Sequence, residues 1–217
     1  MSPRLIVFDL DGTLVDSRRD LADAANAVLA AYGADLLSEE VIGRMVGEGA
    51  ATLIARAFAA SGRERPADAL DRFLAIYNER LLHHTRAYPK MPEVLADLHT
   101  RARLAVLTNK PLDATRRVLA GLDLARYFSD EDVVGGDGPF PRKPDPAGLR
   151  HLIASAGATA GETVLVGDSM IDWRTARNAG ATLYLARYGF GADRFPIDQL
   201  RETELIVNSP EHLSAML

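Results

Sequence analysis

An apolar run that stops on an acid narrows what this chain can become. Leu5-Ile6-Val7-Phe8 leads into Asp9, and Leu10, Asp11 and Gly12 follow at once. A short β-branched stretch closed by turn chemistry predicts a buried strand of a parallel sheet. Such sheets take ligands in the crevice beyond the carboxyl ends of their strands, so Asp9 would stand at the mouth of a site. Carboxylates at i and i+2 share one face of an extended chain. Their mutual repulsion asks for a divalent metal, for a nucleophile beside a general acid, or for both. The plainer alternative is a strand merely ended by Asp-Gly.

Two further apolar runs end the same way. Leu104-Ala105-Val106-Leu107 gives way to Thr108-Asn109-Lys110, and Thr163-Val164-Leu165-Val166-Gly167 gives way to Asp168. Short strands are also predicted at Val133-Val134, Thr182–Ala186 and Leu205–Val207, with helices over 93–101, from Pro111 at N1 onward, and over Ala147–Ser155, 171–179 and Glu211–Met216. Strands alternating with helices predict an α/β fold, a doubly wound, Rossmann-like parallel sheet. Right-handed crossovers would bring Asp9, Thr108 and Asp168 to one edge of it.

Between Asp16 and His84 no strand pattern occurs. Ser17 with Asp20 three residues on predicts a capped helix start, and Leu21, Ala24, Ala25, Val28, Leu29 and Tyr32 continue it as one apolar stripe. Ser38 opens a second, short helix, and two more cover 51–61 and 67–82. The expectation is a small α-helical cap domain, residues 16–84, inserted into a core domain made of residues 1–15 and 85–217.

Bulk composition excludes several functions. The 217 residues contain no cysteine, which rules out disulfides, thiolate catalysis and cysteine-ligated zinc. A formal charge of −5 gives no reason to expect a nucleic-acid partner. No apolar run nears the roughly 18 residues of a membrane span, and Met1-Ser2-Pro3-Arg4 leaves no room for a signal peptide before the first strand, so the expected location is cytoplasmic. Oligomeric state is not legible. Against 22 arginines there are three lysines, Lys90, Lys110 and Lys143, so a retained lysine suggests a place that needs a compact charge.

Several residues are candidates for chemistry, each with a plainer alternative. Thr108 and Asn109 offer a hydroxyl, an amide and backbone N–H groups at a helix start, suited to an oxyanion or simply to capping that helix. Lys143, between Pro141 and Pro144, would neutralise phosphoryl oxygens or a carboxylate if held toward the strand ends, and is otherwise a solvated loop lysine. Asp168 with Asp9 would complete an oxygen-rich cage suited to Mg²⁺. Asp172 closes a Ser169-x-x-Asp172 capping box and could also orient metal-bound water. Trp173 reads as packing and His83 and His84 as surface residues. Arg44, Glu48 and Arg56 are either contacts of the insertion with a ligand or solvated.

Taken together, Asp9-Leu10-Asp11-Gly12-Thr13, Thr108-Asn109, Lys143-Pro144 and Gly167-Asp168-(x)3-Asp172 resemble the four motifs of the haloacid dehalogenase superfamily, over essentially the whole chain. Val46-Gly47-Glu48-Gly49-Ala50, Lys143-Pro144-Asp145-Pro146 and Tyr188-Gly189-Phe190-Gly191 are similar to its phosphoglycolate phosphatase branch. The resemblance implies Asp9 as nucleophile, Asp11 as general acid and base, and Lys143 as the third catalytic residue. Thr108, Asn109 and Lys143 would hold phosphate. Asp9, the Asp11 backbone carbonyl and Asp168 would hold Mg²⁺, with Asp172 behind them. The implied activity is hydrolysis of a small phosphorylated metabolite, foremost 2-phosphoglycolate, through an aspartyl-phosphate. Dehalogenases lack an acid at the position of Asp11, and a cap without lysine disfavours phosphonate hydrolysis. Sugar phosphates, N-acetylmuramate 6-phosphate, pyrophosphate or a β-phosphoglucomutase reaction remain open, as do a phospho-aspartate signalling switch and an idle scaffold.

Overall fold

The computed structural model describes residues 3–217. The first strand, β1 (Leu5–Phe8), is central and buried on both faces: Leu5 and Val7 point into one apolar layer, Ile6 and Phe8 into the other. The chain then forms β2 (Val15–Asp16), helices α1 (Arg18–Ala31), α2 (Glu39–Gly43), α3 (Ala50–Ala60) and α4 (Ala69–Arg80), and β3 (Arg86–Ala87). Strands and helices alternate thereafter: α5 (Met91–Leu98), β4 (Arg103–Leu107), α6 (Leu112–Gly121), β5 (Val133–Val134), α7 (Ala147–Ser155), β6 (Thr163–Gly167), α8 (Met170–Ala179), β7 (Thr182–Ala186), β8 (Leu205–Val207) and α9 (Glu211–Met216).

Six strands form one sheet in the order β5-β4-β1-β6-β7-β8, every pair parallel. The chain therefore steps outward from β1 in one direction and later in the other. The crevice of such a sheet lies where that direction reverses, between β1 and β6. Phe8 is in register with both Val106 and Val166. Asp9, Thr108 and Asp168 thus leave three adjacent strands within two residues of a common level, as the predicted doubly wound sheet requires.

The sequence pattern missed a second, two-stranded sheet. Val15 and Asp16 pair antiparallel with Ala87 and Arg86. The chain enters and leaves the four helices α1–α4 through this ribbon. Two residues per strand are too few for an alternating pattern to register.

The start of α1 also departs from expectation. Ser17 makes no capping bond; its hydroxyl donates instead to Asp11 Oδ1 at 2.6 Å. Asp20, wholly buried, accepts from the His84 and Thr85 N–H groups and from the Thr85 hydroxyl, at 2.8–3.1 Å. A local motif has been overridden by contacts some 65 positions away, because a buried carboxylate must find donors wherever the fold supplies them. The Asp20 clamp fastens the return of the chain onto α1. Replacing it with alanine leaves three donors without an acceptor, two of them buried, so Asp20→Ala is expected to lower stability by about 2–4 kcal/mol in urea unfolding. A change under about 0.5 kcal/mol would mean water takes over those donors.

Candidate active site

Beyond β1, Asp9 is 5% exposed. Its Oδ1 accepts from the Leu10 N–H at 2.7 Å and lies 2.9 Å from Lys143 Nζ. Among the described residues its Oδ2 has no hydrogen-bond partner. Lys143 Nζ also reaches Asp172 Oδ1 at 2.6 Å, so one buried ammonium bridges two buried carboxylates. The other oxygen of Asp172 accepts from the Ser169 N–H and hydroxyl, completing the predicted capping box on α8. Asp172 therefore caps its helix and orients Lys143 at the same time.

Lys143 is held from its backbone as well. The Asn109 carboxamide accepts from the Lys143 N–H at 2.9 Å and donates to the Lys143 carbonyl at 3.0 Å and to the Gly47 carbonyl at 2.8 Å. The side chain expected to hold phosphate is committed to bracing Lys143 and the α2–α3 segment. What Asn109 can still offer an anion is its backbone N–H. Nor do Thr108 and Asn109 cap α6: the Leu112 N–H donates to Asp137 Oδ1 at 2.7 Å, and Pro111 stands one residue outside the helix rather than at N1. The Thr108 hydroxyl is buried at the edge and accepts from the Lys110 N–H at 3.2 Å.

Asp168 completes the cluster. One oxygen from each of Asp9, Asp168 and Asp172 lies within 4.8 Å of the others. Asp168 Oδ2 accepts from the Gly191 N–H at 2.7 Å. The carboxylate is packed against glycine backbone: a Cβ on Gly12 would lie 2.0 Å from Oδ2, and one on Gly189 2.4 Å from the Asp168 Cβ. Gly12 also has φ +89°, a conformation only glycine adopts without strain. The Tyr188-Gly189-Phe190-Gly191 segment is thus the other wall of the acid's cradle.

Burial above all, opposed by Lys143 and reinforced by Asp172 and Asp11, pushes the Asp9 carboxyl up to about 7. Asp168 lies well above the ordinary carboxylate range, through burial first and then Asp172 and Asp9. Burial works against the Lys143 charge, but Asp172 and Asp9 outweigh it and hold the ammonium above the usual lysine range. Three buried acids thus face one ammonium. The surplus negative charge and the all-oxygen donor set suit a hard divalent cation.

Asp11, two residues past Asp9, is held by Ser17 and by Lys110, whose Nζ lies 3.0 and 3.1 Å from its two oxygens. Lys110 is buried, donates to the Tyr77 hydroxyl of α4 at 2.6 Å and lies 4.5 Å from the centre of that ring. Neither residue was among the predicted site residues. The scarcity of lysine marked Lys110, whereas Tyr77, four residues after Phe73 on an apolar helix face, carries no signal beyond packing. Asp9, Asp11, Tyr77, Thr108 and Lys110 line a cavity of ≈ 50 Å³ between the strand edge and the inserted helices, walled on the helical side by Val46, Leu53 and Phe73. Arg44, Glu48 and Arg56 do not line it; Arg44 pairs with Glu40 and Arg56 with Glu48, and the three line a separate cleft of ≈ 290 Å³ with Ser169, Met170 and Gly191. Trp173 packs edge-on against Phe195 with its ring N–H on Glu204, as packing predicts.

This edge of carboxylates and one bridging lysine, at the reversal point of a parallel sheet, has counterparts. The profile of haloacid dehalogenase-like hydrolases matches residues 6–186. The chain belongs to the haloacid dehalogenase-like hydrolase family, as an enzyme of its phosphatase class. Within that family it is 45% identical over 200 residues to a phosphoglycolate phosphatase of Rhodospirillum rubrum, spanning 88% of this chain and 82% of that protein. It is 35% identical over 209 residues to one of Caulobacter vibrioides, spanning 94% and 86%. The crystal structure of a predicted phosphoglycolate phosphatase from Haemophilus somnus superposes with a TM-score of 0.91 at 30% identity, covering 100% of this chain and 98% of that one. Among the described residues no helix is long and apolar enough to cross a membrane.

The titration of the acids has a consequence for cation binding. Because the folded Asp9 carboxyl is raised to about 7 from 3.8, its contribution to stability is fully present below pH 4 and is lost as pH rises through about 7. A divalent cation removes that loss by replacing the proton. Saturating divalent cation should therefore raise the melting temperature by about 5 °C or more at pH 8 and by much less at pH 5.5, read by scanning calorimetry. A shift independent of pH would show that these acids do not hold the cation.

Proposed function

We propose that the chain is a Mg²⁺-dependent phosphomonoester hydrolase whose substrate is a small phosphorylated metabolite, 2-phosphoglycolate, and which works through an aspartyl-phosphate on Asp9. The observation that carries this reading is the asymmetry of Asp9: Oδ1 is tied to Leu10 and Lys143, while Oδ2 has no partner among the described residues and the carboxylate lines the cavity. A carboxylate held by one oxygen with the other free is prepared to act as a nucleophile. The substrate is proposed from the kinship with phosphoglycolate phosphatases.

Asp9 Oδ2 attacks phosphorus as the bond to the leaving oxygen breaks, and Asp11 gives that oxygen a proton. Asp11 then removes a proton from the water that attacks the acyl phosphate, releasing inorganic phosphate and restoring Asp9. Ser17 and Lys110 fix where Asp11 points. Lys143, the Thr108 hydroxyl and the Asn109 backbone N–H hold the phosphoryl oxygens, and Asp172 orients Lys143. Asp9, Asp168 and the Asp11 main-chain carbonyl would hold Mg²⁺, which supplies positive charge against the transferring group. In this reading residues 16–84 are a cap, and residues 1–15 and 85–217 the core. The cap closes the cavity, excludes water and selects the leaving group.

Phosphate release measured across a panel of phosphorylated metabolites with Mg²⁺ is expected to give the highest kcat/KM for 2-phosphoglycolate. Interconversion of sugar phosphates without phosphate release would overturn the hydrolase. Asp9→Asn should lower kcat by at least about 10⁴-fold while circular dichroism shows the fold retained. Turnover within about tenfold of wild type would remove Asp9 as nucleophile.

A further inference from the structure

Lys110 and Tyr77 are 6% and 4% exposed, and both line the cavity beside Asp9 and Asp11. An ammonium has three hydrogens. One points to the Tyr77 hydroxyl and one is shared by the two oxygens of Asp11, which leaves a third. The Tyr77 hydroxyl accepts from Lys110, and its own hydrogen has no acceptor among the described residues. Two unfilled donors, one of them charged, therefore border a cavity whose wall on the helical side is apolar, with Val46, Leu53 and Phe73. Buried donors without acceptors are costly unless a ligand supplies the acceptor.

We propose that Lys110 and Tyr77 form an anion subsite that binds a carboxylate carried by the leaving alcohol, on the carbon next to the ester carbon. The inference rests on the phosphatase reading above and specifies what that site selects. Spacing supports the short tail. Asp11 is the donor to the leaving oxygen, and Lys110 Nζ is 3.0 Å from Asp11 Oδ2. In an α-phosphoryloxy carboxylate the ester oxygen and the nearer carboxylate oxygen are about 3 Å apart, the length of one hydrogen bond. Leaving oxygen, Asp11, Lys110 and tail carboxylate then close a four-sided ring with every side near hydrogen-bond length. A neutral tail leaves both donors unfilled, which penalises the wrong substrate more than a missing contact would. Tyr77 belongs to α4 and Lys110 follows β4, so the subsite exists only while the inserted helices lie against the strand edge.

The test compares 2-phosphoglycolate with ethyl phosphate, which has the same carbon count and also needs Asp11 to protonate its leaving group, but has no carboxylate. Wild type should favour 2-phosphoglycolate in kcat/KM by about 100-fold or more; Lys110→Met should shrink that ratio by about 10- to 100-fold, and Tyr77→Phe by about three- to tenfold, chiefly through KM. Glycolate should inhibit wild type competitively and raise its melting temperature, and both effects should weaken by about three- to tenfold in affinity in Tyr77→Phe, which removes one oxygen and keeps the ring. If both substrates slow together in Lys110→Met with the ratio unchanged, Lys110 serves only Asp11 and the subsite is overturned. Equal wild-type rates on the two esters would overturn the subsite and leave the phosphatase reading intact. Hydrolysis of neither ester would overturn both.

Discussion

One buried ammonium between two buried carboxylates sets the terms for everything around it. Removing Lys143, Asp9 and Asp172 from water is unfavourable by several kcal/mol per ion, and their attraction offsets this only if each remaining lone pair and proton is also bonded. The fold meets that condition everywhere but at Asp9 Oδ2, which stays unpaired among the described residues. Asn109 grips the Lys143 backbone from both sides, Ser169 fills the second oxygen of Asp172, and Leu10 bonds the near oxygen of Asp9. Asp168 remains as surplus negative charge against Gly12, Gly189 and Gly191, where no side chain could be accommodated. The arrangement of three acids around one ammonium suits a bound divalent cation.

The same economy appears at the boundary between sheet and inserted helices. Asp11 belongs to the strand edge, yet its partners are Ser17 at the start of α1 and Lys110, itself bonded to Tyr77 of α4. Asp20 ties α1 to Thr85 where the chain returns, and the β2–β3 ribbon joins the two crossings. Asp11 therefore senses how the helices lie. This is a physical route by which closure over a ligand would reach the chemistry, since Lys110 cannot keep its bond to Tyr77 if α4 moves away.

Much of this was legible in the chain. The three strand ends at Asp9, Thr108 and Asp168 could be read because buried parallel strands are continuous apolar runs and their polar ends stand out. The capping box at Ser169 and Asp172 could be read because both partners lie within one turn. The apparently equivalent box at Ser17 and Asp20 failed, because a fully buried acid answers to long-range donors before local ones. Asn109 was legible as a polar residue just past a strand end but not as a brace, since its partners, Gly47 and Lys143, are 62 and 34 positions away. Tyr77 was not legible, because a tyrosine on an apolar helix stripe looks the same whether its hydroxyl meets water or a lysine.

By itself the sequence determined the alternation of strands and helices, the place of the helical insertion, and which polar residues would end neighbouring strands. Those properties follow from hydrophobic period and turn chemistry, which are local. Only the tertiary structure decided which oxygen of Asp9 stays free, which acids share Lys143, and which buried donors face the cavity. Hydrogen-bond partnership in a low-dielectric interior is settled by the few ångströms between groups far apart in the chain, and no local pattern encodes that distance.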